Sequence, residues 1–361
     1  MHVCDLQALD QLRRELRFDP QALRRFRNAL LKHGRGDRES LSEIPADVRE
    51  AFASRVDLHS LELHSRNDSR HDGATKLLFR TSAGMLIESV ILRIATGRTT
   101  LCVSSQVGCA AACDFCATGK MGIAQNLAPA EILDQIVQSR QILASEGRQL
   151  RNLVFMGMGE PFHNEENLYA TIEALTAPEL FHQPPSRILI STVGLPDAMM
   201  RCARRFPNLN LALSLHSANQ DTRQQIIPLA KRYPLDELRR ALVELNCIQP
   251  ASTEVMVEYL MLAGLNDSLE AAAELVAWLA GLRVHVNLIP FNPIDDAPHL
   301  HGSDRPTRDA FGAHLKAAGL KCTIRYSLGA DVAAACGQLV RKENRQQRQG
   351  QATLSPSPRP A

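Results

Sequence analysis

Three cysteines lie close together in the chain: Cys109, Cys113 and Cys116. Their spacing, C-x3-C-x2-C, places three thiols in one loop, as expected of metal or iron–sulfur ligands. A structural zinc site takes four protein ligands, and Cys102 could supply the fourth. A [4Fe–4S] cluster is usually held by four thiolates, so three cysteines would leave one iron open to a small molecule. That open iron indicates a catalytic cluster that binds a chelating cofactor.

The composition is that of an ordinary globular protein. Of 361 residues, 45% are hydrophobic, 22% are charged and nine are cysteines, which excludes a disordered or collagen-like chain. No run approaches the ~18 apolar residues of a membrane span, and the first residues lack the pattern of a signal peptide. We therefore expect a cytoplasmic protein with no membrane association. In that compartment clustered cysteines bind metals or carry out redox chemistry.

The formal net charge of +2 conceals two basic ends. Residues 13–38 hold nine Arg and Lys against three acids, and residues 339–361 hold five against one. A basic run is more often a solvated surface than a binding site. On its own, this distribution is a weak indication of a nucleic-acid partner.

Hydrophobic periodicity divides the first part of the chain into a helical unit and a hairpin. Leucines recur at three- and four-residue steps over residues 6–34, which predicts a small helical accessory domain over residues 1–65. The polar residues 64–74 predict a loop. Two β-rich runs within residues 66–94 predict a β-hairpin adaptor.

From residue 95 onward, predicted strands and helices alternate. Regular βα alternation predicts a parallel sheet with helices outside it. About six such units predict an α/β fold, a partial (β/α)6 barrel over residues 95–330, whose chemistry lies at the C-terminal ends of its strands. A C-terminal helix is predicted over residues 331–342. Residues 343–361 have almost no apolar content and predict a disordered tail.

Small or polar residues follow several of the predicted strands. The set comprises Gly159, Glu160, Ser191, Ser214, Leu215, His216 and Asn292. A glycine lets the backbone approach a ligand closely, and the carboxylate of Glu160 can accept hydrogen bonds from an ammonium group. Taken singly each residue is weak evidence, since a lone histidine or asparagine is more often structural. Together they indicate a cofactor site on the catalytic face of the barrel.

These features resemble the radical S-adenosylmethionine (SAM) superfamily, and within it the RlmN/Cfr group of RNA adenine methyltransferases. Three segments carry the resemblance, residues 101–109, 116–119 and 333–339, and the likeness covers about residues 75–341. The first segment places Cys102 seven residues before the cluster, and the third contains Ala-Ala-Ala-Cys-Gly-Gln-Leu.

The resemblance implies cofactors, substrate and partners. It implies one [4Fe–4S] cluster on the three clustered cysteines, two SAM molecules per turnover, and the strand-end residues as SAM contacts. The implied substrate is an adenosine of large-subunit (23S) ribosomal RNA or of transfer RNA, and the methylated carbon, C2 or C8, stays open. An electron donor such as flavodoxin or ferredoxin is implied, and we expect a monomer. The basic residues suited to RNA phosphates are Arg13, Arg14, Arg17, Arg24, Arg25, Arg27 and Lys32.

The family's chemistry follows from its substrate. Carbons 2 and 8 of adenine are electron-poor and cannot attack the methyl group of SAM, whereas a cysteine thiolate can. By its match to the family, Cys336 would carry that methyl group. A 5′-deoxyadenosyl radical from a second SAM would then remove a hydrogen from it, and the resulting carbon radical would add to adenine. Cys102 matches the thiol that resolves this adduct and leaves a disulfide, and Glu88 aligns with the glutamate proposed as proton acceptor.

Residues 325–331 read Arg-Tyr-Ser-Leu-Gly-Ala-Asp, where RlmN has an Arg-Thr-Arg-Gly type of segment, and are closer in character to the Cfr-like branch. Two other classes of function stay open. One is a radical SAM enzyme with a non-methylating reaction, against which Cys102 and Cys336 argue. The other is a zinc-dependent RNA-binding protein without catalytic activity, which would not need the strand-end set.

Overall fold

The computed structural model describes residues 1–122 and 124–338. Within them, the helices are α1 (Leu6–Glu15), α2 (Pro20–Arg27), α3 (Asp37–Leu41), α4 (Arg49–Ala53), α5 (Pro129–Ser145), α6 (Glu165–Thr176), α7 (Pro196–Arg205), α8 (Gln220–Ile226), α9 (Leu235–Ile248), α10 (Leu269–Leu279) and α11 (Arg305–Ala317). None of these described helices has the length and apolar character needed to cross a membrane.

The described strands run from the adaptor to the end of the barrel. They are β1 (Glu62–Asp68), β2 (Ala74–Arg80), β3 (Leu86–Arg93), β4 (Thr99–Cys102), β5 (Gln106–Gly108), β6 (Ala124–Asn126), β7 (Asn152–Phe155), β8 (Ile188–Thr192), β9 (Asn210–Ser214), β10 (Val255–Met261), β11 (Val284–Pro290) and β12 (Lys321–Ile324).

Ten of these strands form one mixed sheet, in the order β1-β2-β3-β4-β7-β8-β9-β10-β11-β12. Neighbours from β1 to β4 are antiparallel, and every pair from β4 to β12 is parallel. The predicted α/β class and the parallel sheet are thereby confirmed. The parallel run contains one strand more than the six predicted units. The adaptor hairpin, β2 and β3, extends the same sheet past β4.

The helix predicted over residues 6–34 is broken into α1, α2 and a π-helical turn, Asn28–Lys32. Arg17 adopts a left-handed conformation with φ of 55°, which ends the first helix. Pro20 begins α2 in the first turn, where its missing N–H is not needed, and Asp19 caps the helix. The periodicity correctly indicated a buried face, but it did not reveal the turn within it.

Residues 62–68 form the edge strand β1, whereas the sequence predicted a loop from residue 64. The strand also crosses the predicted domain boundary at residue 65. Its side chains are almost all exposed, so its sequence carries no alternation of buried and exposed positions. Pairing with β2 through the backbone therefore determines its conformation, rather than side-chain burial.

The C-terminal helix predicted over residues 331–342 is absent from the part that the structure describes. A short 3₁₀ turn, Ala330–Val332, is followed by turns up to residue 338. Ala333 and Gly337 have left-handed φ values of 49° and 83°, which are incompatible with a continuing α-helix. Cys336 therefore lies on a turn. The predicted tail lies outside the described residues.

A cluster of charged side chains around the buried Asp134 joins the helical accessory domain to α5. Both ring nitrogens of His59 face carboxylates, with Nδ1 at 2.7 Å from Asp134 and Nε2 at 3.0 Å from Asp37. Asp134 also accepts hydrogen bonds of 2.8 Å from the backbone N–H groups of Ser60 and Leu61. Because carboxylates only accept, both nitrogens of His59 carry protons, and the ring is a cation between two anions.

This arrangement predicts a pH dependence of stability. Burial lowers the pKa of His59, but its hydrogen bonds to Asp134 and Asp37 outweigh burial and raise the pKa from 6.5 to about 10. A pKa raised by folding contributes stability that is complete below pH 6.5 and is lost as pH rises through about 10. We expect the unfolding free energy of the wild type, measured with denaturant, to decrease across this range more than that of His59→Gln.

His33→Gln, at an exposed histidine of the same domain, is the matched control and should keep the wild-type slope. If the wild type and His59→Gln lose stability in parallel as the pH rises, the paired imidazolium is not the cause.

Candidate active site

The three clustered cysteines line a cavity at the C-terminal ends of the parallel strands. The loop that carries them needs a glycine to close. A Cβ on Gly119 would lie 2.9 Å from the backbone nitrogen of Cys113, closer than such contacts allow. The structure therefore brings Cys109, Cys113 and Cys116 together in one cavity, and their role as cluster ligands stays a prediction.

The chemistry of these thiols fits an iron–sulfur cluster. All nine cysteines of the chain are free, and burial raises the pKa of Cys109 to about 12. Over residues 1–122 and 124–338, no three His, Cys, Asp or Glu side chains are close enough to share one metal ion. In a [4Fe–4S] cluster each thiolate binds a different iron, and the iron supplies the positive charge that favours the thiolate.

Glu160 lies in the same cavity and is buried. Its Oε1 accepts a hydrogen bond from the backbone of Phe162 at 3.1 Å, and its Oε2 accepts one from Val193 at 2.9 Å. Burial raises the pKa of Glu160 to about 7, although the two N–H donors and the side chain of Thr192 favour the carboxylate. A carboxylate has about four lone-pair sites, so Glu160 can also accept a hydrogen bond from an ammonium group in the cavity.

Gly159 and two serines complete this side of the cavity. Gly159 has φ of 107°, and a Cβ there would lie 2.7 Å from the side chain of Gln106, so this position requires glycine. The hydroxyl groups of Ser191 and Ser214 are 3.3 Å apart. The backbone and two hydroxyls are therefore open to a ligand beside Glu160.

His216 lines the cavity as a neutral ring. Its Nδ1 accepts a hydrogen bond of 3.0 Å from the backbone of Leu260, and burial lowers its pKa to about 3. The ring packs edge-on against Phe115 of the cluster loop, with centroids 4.8 Å apart. Leu215 is buried in the core outside the cavity lining, and its carbonyl accepts a hydrogen bond from Arg223.

Asn292 lies against the segment that carries Cys336. Its Nδ2 donates to Ser327 Oγ at 3.0 Å and to the carbonyl of Cys336 at 3.1 Å. It is absent from the described lining of the cluster cavity. Its assignment, like that of Leu215, as a SAM contact stays a prediction.

Cys336 lies at the boundary between two cavities. It lines the cluster cavity, and together with Cys102 it lines a second cavity. Gly337 brings this turn against the cluster loop. Its carbonyl accepts a hydrogen bond of 2.7 Å from Ala117, and a Cβ at Gly337 would lie 3.1 Å from the carbonyl of Phe115.

Two charged residues that the sequence did not single out accompany these thiols. Burial raises the pKa of Cys336 and that of Cys102, the latter to about 12, while Arg325 opposes both shifts. Glu258 of β10 also lines the cluster cavity, and its carboxylate accepts a hydrogen bond of 3.1 Å from Asn287. The sequence could have indicated Glu258, because it is the one charged residue within the apolar strand β10.

Glu88 is fully buried on β3, and its Oε1 lies 3.5 Å from the ammonium group of Lys76. Lys76 also donates to the carbonyl of Ala333, at 3.3 Å. Glu88 is absent from the described linings of both cavities. The structure places it next to the lysine that supports the Cys336 segment, and its role as proton acceptor stays a prediction.

The turn between β1 and β2 holds the start of the same segment. The backbone N–H of Gly329 donates to Asp72 at 2.8 Å. Asp331 accepts hydrogen bonds from Ser69 Oγ at 2.8 Å and from the backbone of Arg70 at 2.9 Å. The turn between β1 and β2 therefore fixes the chain that leads to Cys336.

Part of the predicted basic surface is engaged within the accessory domain. Arg13 and Arg14 pair with Asp10, and Arg25 pairs with Glu43. The residues of the predicted set that are exposed to solvent are Arg14, Arg17, Arg24 and Arg25.

Comparison with known proteins agrees with this geometry. Residues 103–276 match the radical SAM superfamily, so the strands, the cluster loop and the cavity define a radical SAM enzyme. A protein of Rhodopirellula baltica named a probable RNA methyltransferase is 61% identical over 94% of this chain and 87% of its own length. A Thermus thermophilus protein named a probable dual-specificity RNA methyltransferase RlmN is 39% identical, over 92% of each chain.

The Cfr ribosomal RNA large-subunit methyltransferase of Staphylococcus aureus is 35% identical over 88% of this chain and 90% of its own. The crystal structure of a radical SAM methyltransferase from Sphaerobacter thermophilus superimposes with a TM-score of 0.87, at 36% identity, and covers 94% of this chain and 99% of that one. The chain belongs to the RlmN/Cfr family of radical SAM RNA methyltransferases.

Proposed function

We propose that the protein transfers a methyl group from SAM to C2 or C8 of an adenosine in RNA, either large-subunit ribosomal RNA or transfer RNA. Cys336 would carry the methyl group between the two. The observation that supports this proposal most is the position of Cys336, which lines both the cavity of the cluster cysteines and the cavity that contains Cys102.

In this proposal the cluster cavity holds the cofactors. A bound [4Fe–4S] cluster and SAM supply the methyl group and the one-electron chemistry that an electron-poor ring carbon requires. The three clustered cysteines hold the cluster. Glu160 accepts hydrogen bonds from the ammonium group of SAM, while Gly159 leaves room for the ligand and Ser191 and Ser214 offer hydroxyls. Two SAM molecules would be used in turn.

Arg325 assists the thiol that takes the methyl group. The thiolate is the nucleophilic form of cysteine, and burial disfavours it. The guanidinium of Arg325 counters burial at Cys336 because a nearby positive charge favours the anion. Arg325 lines the second cavity with both reactive thiols, so it favours the thiolate at Cys336 and later at Cys102.

Cys102 would release the product. From the cavity that it shares with Cys336, its sulfur can attack the sulfur of Cys336. An S–S bond forms as the C–S bond to the adenosine breaks, the electron pair of that bond stays on the transferred carbon, and this carbon takes up a proton to complete the methyl group. External thiols then reduce the disulfide. Glu88 is the proposed acceptor of the proton from the ring carbon.

The partners follow from the same proposal. The exposed arginines of the accessory domain would contact RNA phosphates, which gives affinity that falls with salt and does not depend on sequence. A flavodoxin or a ferredoxin would supply electrons to the cluster. Nine free cysteines suit a reducing compartment, as expected of the cytoplasm.

The assignment of Glu160 predicts a binding defect. Glu160→Gln replaces an acceptor-only carboxylate with an amide, so a hydrogen bond to a charged ammonium group weakens. We expect the affinity for SAM, measured by equilibrium dialysis on the protein with its cluster, to decrease about tenfold or more. Glu166→Gln, at an exposed position on α6, should bind SAM as the wild type does. Equal affinities of Glu160→Gln and the wild type would remove Glu160 from the site.

Mapping the modified nucleotide tests the function as a whole. RNA from cells with and without the gene is digested, and its nucleosides are compared by mass spectrometry. We expect 2-methyladenosine or 8-methyladenosine to disappear without the gene and to return when the wild-type gene is restored. Identical nucleoside profiles in the two strains would overturn the proposal.

A further inference from the structure

Two large apolar side chains at the mouth of the second cavity are exposed to solvent. Tyr326 is 58% exposed and Ile94 is 41% exposed. Among the described residues, the other strongly exposed large apolar side chains are Leu63, Val243 and Leu269. Of these five, Tyr326 and Ile94 line the second cavity. Exposed apolar surface concentrated at the rim of a cavity indicates a binding site, whereas single scattered residues do not.

The two side chains follow strands that lie far apart in the order of the sheet, β3 and β12. Ile94 follows β3 in a tight turn, in which its N–H donates to the carbonyl of Arg98 at 2.9 Å. Tyr326 lies two residues after the end of β12. β12 is not paired with β3 or β4 in the described sheet, yet residues after it line the same cavity as β3 and β4. The sheet therefore curves to bring the two side chains to one opening.

The cavity below them suits a flat, mostly apolar ring. Val90, Leu92 and Leu328 contribute apolar wall, and Cys102 and Cys336 lie in the lining. In the proposed reaction, a ring carbon of the substrate must reach Cys336. We therefore expect the ligand of this cavity to be a single base that is unstacked from its neighbours in the RNA.

We propose that Tyr326 and Ile94 form a lip on which one unstacked adenine of the RNA stacks as it enters the second cavity. This inference rests on the proposed function, and it names the contact that captures the substrate base. The Tyr326 ring stacks on one face of the base, as aromatic residues do with splayed-out bases in single-stranded RNA, and Ile94 covers the other face. Arg98, exposed in the turn that Ile94 begins, lies beside the lip for a neighbouring phosphate.

The lip and the remainder of the cavity would have separate tasks. Stacking tolerates any base, because every base presents an aromatic face. Tyr326 therefore contributes affinity for an unstacked base, and it does not itself select adenine. Selection of adenine over other bases would occur deeper in the cavity, where polar groups can form hydrogen bonds with the edge of the ring.

A binding experiment with a paired probe isolates this contact. The probes are a labelled uridine decamer with one central adenosine and the same decamer with an abasic site at that position. Binding to the full-length protein with its cluster is measured by fluorescence anisotropy. We expect the wild type to bind the adenosine probe about tenfold more tightly than the abasic probe, as base–aromatic stacking allows.

Three variants decide the origin of that difference. Tyr326→Ala should reduce it to less than about twofold, whereas Tyr326→Phe should keep it because the ring is retained. Leu269→Ala removes an equally exposed apolar side chain at the start of α10 and should keep the wild-type difference. The proposal is overturned if Tyr326→Ala keeps the full difference, or if Leu269→Ala loses it too.

Equal binding of the two probes by the wild type would also overturn the lip and would favour a protein partner at this surface. A different measurement tests the proposed function, because the anisotropy experiment measures binding alone and needs no turnover. A protein that never acquires a methyl group on Cys336 refutes the reaction. Its discrimination between the two probes still reports on the lip.

Discussion

Cys336→Ala is expected to abolish RNA methylation and to leave the fold and the iron content unchanged. Cys336 lines both cavities and, unlike Cys116, which also lines both, it is not one of the proposed cluster ligands. An alanine carries no nucleophile, and loss of the nucleophile in covalent catalysis costs more than about 10³-fold in rate. Transfer of radiolabelled methyl from SAM to RNA measures the loss.

Mass spectrometry adds a direct readout. Wild-type protein prepared without oxygen in the presence of SAM should carry one methyl group on the peptide that contains Cys336, and Cys336→Ala should carry none. Cys247→Ala removes an exposed thiol on α9, outside both cavities, and should behave as the wild type. RNA methylation by Cys336→Ala above background, or unmethylated Cys336 in active protein, would exclude the proposed route.

Cys102→Ala is expected to accumulate a covalent complex between the protein and RNA. In this variant the steps up to the adduct need only Cys336 and the cofactors, but the thiol that breaks the C–S bond is missing. The shift of the protein band in a denaturing gel, reversed by ribonuclease, reports the adduct. Nearly all of the protein that has turned over once should be trapped.

The double variant Cys102→Ala/Cys336→Ala should form no adduct, because the attachment point is gone. The trapped RNA also identifies the target, since sequencing up to the cross-linked nucleotide locates the adenosine. Multiple turnover by Cys102→Ala at the wild-type rate, with no adduct, would assign the resolving step to another group.

Local patterns in the sequence indicated several residues of the site, but they did not indicate all of the elements that hold those residues in place. Cysteine spacing indicated a cluster with one open iron, and strand-end positions indicated Glu160, which the structure places in the same cavity. Both are local signals, carried by a few neighbouring residues and by the period of strands and helices. The strand β1 was missed because its exposed side chains carry no such period.

Contacts between distant segments could not be predicted from periodicity. Asn292 follows a barrel strand as expected, but its amide donates to Cys336, 44 residues further along the chain. Arg325 acquires its importance from the curvature of the sheet, which brings the end of β12 to Cys102 of β4. The turn at Cys336 likewise depends on long-range hydrogen bonds, whereas its alanine-rich sequence favours a helix.

The segment that carries Cys336 is anchored along its length, from the hydrogen bond of Gly329 with Asp72 to that of Gly337 with the cluster loop. Lys76 and Asn292 hold it between these points. Carrier proteins that move a group on a swinging arm need a flexible tether. This segment is instead held in place by hydrogen bonds along its length. In the proposed reaction, Cys336 would therefore hold the methyl group at one place. SAM and RNA would have to move to and from it in each cycle.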